Sequence, residues 1–167
     1  MPIYSEILND ESILQILRDG YHQILIVGCG ACMNESLAYK HNLPLYIDNS
    51  NMPYATIHEL HRIKELLTKN GYQVEIKYYN NIDGFFCMTD IAADEYPLDW
   101  EQHPDIILML SCNSGCEGLR DRLPDTKIVK ITKLVGGVPY GHRVVAGKRI
   151  IVAEESTIIP LIKKQEG

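Results

Sequence analysis

The chain has 167 residues, 46% hydrophobic and 23% charged, a globular balance that excludes disordered, collagen-like and low-complexity classes. Its formal net charge of −6 argues against nucleic acid as a partner. The longest apolar runs, 24–27 and 106–110, are too short for a bilayer, and MPIYSEILND has no basic or apolar signal region. The expectation is therefore a cytoplasmic protein with no membrane partner, forming a single domain with a leading helix in 1–20, a core over 21–138 and a hairpin and tail over 139–167.

In chain order, residues 10–19 read as a helix capped by Asp10, with Ile13, Leu14 and Leu17 as its stripe and Gly20 as its stop. Residues 24–27 form a short run apolar on both faces, which suits a buried parallel strand. Residues 43–47 are a weaker strand. Thr56 and Glu59 have capping-box spacing at the start of a helix that Ile57, Leu60, Ile63 and Leu67 would bury and Gly71 would end. Strands follow at 72–79, 106–110 and 128–131, with a short helix at 114–122. Residues 142–146 and 149–153 flank Gly147-Lys148, which suits a type II′ hairpin. Alternating strands and helices predict a three-layer, Rossmann-like α/β fold with a mainly parallel sheet, closed by an antiparallel C-terminal hairpin.

The five cysteines stand out against this frame. Cys29 and Cys32 follow the first buried strand in Gly28-Cys-Gly-Ala-Cys32, and Cys112 and Cys116 follow another in Ser111-Cys-Asn-Ser-Gly-Cys116. Cys87 comes a short loop after the 72–79 strand. Loops after parallel strands leave at the carboxyl edge, so all five thiols are expected on one edge. Thiolates are soft ligands for an iron–sulfur cluster or for zinc, and both take four cysteines. One thiol is then surplus, Cys112 or Cys116. Gly28, Gly30 and Gly115 allow close backbone approach, and helix N-termini at this edge lower thiol pKa. Two other readings stand beside this one: buried cysteines serving as small core residues, and a Cys29/Cys32 dithiol working in thiol–disulfide exchange.

Other motifs are weaker. Gly28-Cys-Gly30-Ala-Cys-Met33, with Asp48 beyond, covers part of a dinucleotide-binding fingerprint, but Met33 replaces its third glycine. His58 and His61 share a helix face, which is more often solvated than metal-binding. Residues 126–153 hold no acid and six bases: Lys127, Lys130, Lys133, Arg143, Lys148 and Arg149. If the 132–141 segment is a loop leaving the cysteine edge, Lys133 and Arg143 would lie near the centre and steer an acidic partner or phosphate-bearing ligand.

Ile24-Leu-Ile-Val-Gly-Cys-Gly-Ala-Cys32 and Ile107-Leu-Met-Leu-Ser-Cys-Asn-Ser-Gly115 resemble the zinc- or iron–sulfur-binding C-terminal domain, or small subunit, of acetogen-type methylenetetrahydrofolate reductases. The resemblance covers about residues 20–138. It implies a cysteine-ligated centre in a Rossmann-like domain, with Cys29, Cys32, Cys87 and Cys112 at the family's cysteine positions. Cys116 is an addition, and the family's further cysteine after the first pair and its cysteine-rich C-terminal segment have no counterpart. The expectation is an accessory protein or subunit of one-carbon or redox metabolism. It would carry an iron–sulfur cluster, or alternatively zinc, and act in electron transfer beside a catalytic reductase or other redox protein rather than as a stand-alone enzyme. A homo-oligomer is left open. The alternatives are a redox enzyme using Cys29/Cys32 and a structural zinc-binding interaction domain.

Overall fold

The computed structural model describes residues 2–48, 50, 52–79 and 103–160. Cys87 and the tail 161–167 lie outside the described residues. The elements are β1 (Ile3–Ile7), α1 (Asp10–Ile16), β2 (Gln23–Cys29), α2 (Cys32–His41), β3 (Tyr46–Ile47), α3 (Tyr54–Lys69) and β4 (Gln73–Tyr79). They continue with β5 (Ile106–Leu110), α4 (Asn113–Arg122), β6 (Ile128–Lys130), β7 (Thr132–Gly137), β8 (Gly141–Val145), β9 (Lys148–Val152) and β10 (Ile159–Pro160). The architecture is mixed α/β. A parallel sheet runs in the order β4-β2-β5-β6, and two antiparallel sheets run β1-β7-β10 and β3-β9-β8.

The central strands are apolar on both faces because both faces are covered. All of β5 is buried, as is β2 beyond its first residue. In register, Ile26 lies between Ile76 of β4 and Leu108 of β5. Leu60, Ile63 and Leu67 of α3, spaced at helical period, are fully buried in the same core. At the opposite end of the sheet, Asp105 Oδ2 accepts the backbone N–H groups of His22 and Gln23 at 2.8 and 2.9 Å. Those two bonds hold its carboxyl below the usual range.

Several elements differ from the sequence reading. The N-terminal segment contains β1, paired antiparallel with β7, as well as a helix. Nothing local marks β1, because its partner comes at the other end of the chain. Asn9, not Asp10, caps α1: its side chain accepts Ser12 N–H at 2.8 Å. The helix ends at Ile16, before Gly20. α3 starts before Thr56, at Tyr54, and its N-cap position is Pro53 with no side-chain cap. The expected capping pair is used elsewhere. Thr56 Oγ1 donates to the Cys29 carbonyl at 3.0 Å, while Glu59 is buried and ion-paired with Arg62 at 2.6 Å.

The C-terminal hairpin does not extend the parallel sheet; it pairs through β9 with β3. Its turn residues are Ala146 and Gly147, with φ of 48° and 73°. Positive φ at both central positions makes a type I′ turn, one residue earlier than the II′ reading. The glycine therefore sits second in the turn. Residues 132–137, expected as part of a loop, form β7.

Candidate functional site

In the parallel sheet the chain moves from β2 outward to β4, then returns past β2 to β5 on the other side. The winding direction reverses between β2 and β5, which makes the carboxyl ends of these two strands the switch point of the sheet. Cys29 is the last residue of β2 and Cys112 the residue capping α4 just after β5. Cys32 is the first residue of α2. The two cysteine-bearing loops among the described residues thus flank this switch point.

Backbone donors lie at part of this edge. The Ala31 N–H donates to Cys29 Sγ at 3.5 Å. Neither Ala31, the N-cap of α2, nor Cys112, the N-cap of α4, forms a side-chain cap. The first-turn amides of both helices are left for other acceptors at the same edge. Cys29 and Cys116 both belong to the buried core cluster; at Cys116, burial pushes the thiol pKa up, with Arg120 and Lys130 pulling only partly the other way.

Packing explains the glycine before Cys29. A Cβ at Gly28 would lie 2.7 Å from Thr56 Cγ2 and 2.8 Å from Leu60 Cδ1. The start of α3 presses on the strand end, and the Thr56 bond to the Cys29 carbonyl fixes the loop against it. Asn34, fully buried in α2, extends the brace: its Oδ1 accepts Thr56 N–H at 3.0 Å and its Nδ2 donates to the Leu45 carbonyl at 3.2 Å. Sequence reasoning missed Thr56 and Asn34 as supports of the cysteine loop, because their partners are 27 and 22 residues away.

The basic residues fall differently from the expectation. Lys130 reaches Asn113 Oδ1 in the first turn of α4, beside Cys112. Lys133 is on β7 opposite Glu6 of β1 and helps lower the Glu6 pKa, after the Lys40 and Tyr4 hydrogen bonds. Arg143 is ion-paired with Glu155, which lies just past the acid-free stretch. Lys130 is therefore the base that a residue contact ties to a cysteine loop, a role the sequence reading gave to Lys133 and Arg143.

The dinucleotide reading loses its geometry. Asp48 follows β3, which pairs antiparallel with β9 rather than lying beside β2, and its N–H donates to the Gly147 carbonyl at 2.7 Å. His58 and His61 are exposed on α3, beside a cavity of about 620 Å3 that they line with Ile47, Met52, Tyr54 and Ile57. No cysteine among the described residues lines that cavity.

As a donor set, Cys29, Cys32 and Cys112 match a soft metal in chemistry and share one edge. Among the described residues, however, no three His, Cys, Asp or Glu side chains converge on one point. The described thiols alone do not close a site, and a four-cysteine centre here would need Cys87. Also among the described residues, no helix is long and apolar enough to cross a membrane. No family model matches the chain, and neither a curated protein nor a solved structure does.

Proposed function

We propose that the chain is a Rossmann-like accessory protein. Cys29, Cys32 and Cys112, together with Cys87, hold one thiolate-ligated centre, an iron–sulfur cluster in preference to zinc. The observation that carries this reading is the arrival of two separate strand-to-helix loops, both bearing cysteine, on either side of the sheet's switch point. The resemblance of those two loops to the reductase C-terminal domain supports the same residues. Cys116 is left out, because a buried thiol with a raised pKa resists the deprotonation that ligation requires.

A bound cluster would supply electron transfer to a reductase or other redox partner. This chain's own contribution is preorganisation. Thr56 holds the Cys29 carbonyl, the first-turn amides of α2 and α4 offer donors to sulfur, and Lys130 offsets negative charge near Cys112.

Anaerobic purification followed by iron, sulfide and zinc analysis, with an absorption spectrum, tests the reading. Brown protein with iron and sulfide is the expected result, and stoichiometric zinc in colourless protein would favour a structural zinc domain. Metal-free protein that carries a reducible Cys29–Cys32 disulfide would replace the proposal with thiol–disulfide exchange.

A further inference from the structure

The outer edge of β4 carries an inference independent of the cysteine site. β4 is the terminal strand of the parallel sheet, and among the described residues its only strand partner is β2. An unpaired edge is a template for another strand, and proteins usually guard it with charge or bulges. Here the charges have a pattern of their own: Glu75 and Lys77 flank Ile76 symmetrically. Both are half-buried, and neither has an ion-pair partner among the described residues.

The backbone fixes how a second strand would add. Gln73 N–H donates to the His22 carbonyl, and the Tyr79 carbonyl accepts from Gly30 N–H. Strand alternation then turns the amides of Glu75 and Lys77 toward β2 as well, and those of Val74, Ile76 and Tyr78 outward. Outward groups at alternate residues centred on Ile76 match an antiparallel copy of the same strand about a twofold axis. Ile76 would exchange both of its hydrogen bonds with Ile76 of the second copy, and Val74 with Tyr78. Glu75 would then stand opposite Lys77 of the second copy at a non-hydrogen-bonded position, where cross-strand side chains come closest. Shifting the register by two residues in either direction loses this charge match.

We propose that β4 pairs antiparallel with β4 of a second copy, so that the two parallel sheets join into one across a twofold axis at Ile76. Such a contact is isologous, and both Glu75–Lys77 pairs form by symmetry. Strand pairing alone is small for a stable interface, so dissociation is expected in the range of about 10–100 µM.

Sedimentation velocity over a concentration series tests it with a charge swap. Wild-type protein should dimerise in that range. Glu75→Lys and Lys77→Glu each place like charges opposite one another and should weaken association by about tenfold. The double variant E75K/K77E should return to the wild-type value, and a mixture of the two single variants should associate more tightly than either alone. Circular dichroism identical to wild type keeps unfolding out of the comparison, and the double variant, whose composition is unchanged, tests the register if a single variant misfolds. Wild-type protein that is monomeric at about 200 µM would overturn the proposal. So would single reversals that leave association unchanged, or a double variant that stays as weak as the singles.

Discussion

Asn34 and Thr56 brace the cysteine loop. Asn34→Ala would leave the Thr56 N–H without its buried acceptor and take one of two donors from the Leu45 carbonyl, which keeps the Tyr54 N–H. A loss of about 1–3 kcal/mol is expected, read as a lower denaturant midpoint at unchanged slope. Cys116 has a pH signature. Its folded pKa is raised by burial, so its contribution to stability is fully present below the unfolded thiol pKa of about 8.5. That contribution is lost as pH rises from there through the folded value, at up to about 1.4 kcal/mol per pH unit. Chemical denaturation of reduced protein between pH 8 and 10.5 should show this decline, and Cys116→Ala should make it shallower without abolishing it, since burial also raises the Tyr4, Tyr79 and Tyr140 pKa values. At this scale the sequence was partly legible. The cysteines announce themselves, whereas Asn34 and Thr56 do not, because a polar residue in a helix carries no local sign of a partner more than 20 residues away.

Among the elements, strands with a one-dimensional signature were legible. β2 and β5 are short apolar runs because both faces are covered, and β4 was read within a residue of its start. β1 was missed and the hairpin turn misplaced. In both cases the decisive interaction is tertiary: β1 exists by pairing with β7, and the turn is set by the register of Val145 with Lys148. The turn makes a prediction. Ala146 holds a left-handed conformation at a cost of about 1 kcal/mol that asparagine largely avoids. Ala146→Asn should raise the melting temperature by several degrees. Gly147→Ala should lower it, since φ there is positive and a Cβ would lie 2.9 Å from Asp48 Oδ1. Equal melting temperatures for A146N and wild type would contradict the I′ assignment.

Over the whole molecule, one parallel sheet sets the two regions of interest. Its strand order brings the Cys29–Cys32 and Cys112 loops to one switch point, and among the described residues it leaves β4, with Glu75 and Lys77 about Ile76, at an edge. The proposed function takes four of the five cysteines as ligands and Cys116 as a core residue, a division the sequence spacing left open between Cys112 and Cys116. Cys116 is buried with a raised thiol pKa, while Cys112 sits at the entry to α4 and is only partly buried. The most direct test is metal content per chain, measured anaerobically across the five Cys→Ser variants. Cys29→Ser, Cys32→Ser, Cys87→Ser and Cys112→Ser should each lose most of the metal, while Cys116→Ser retains it and loses stability instead. Wild-type metal content in the Cys29→Ser and Cys112→Ser variants would contradict the assignment of the centre to the switch point.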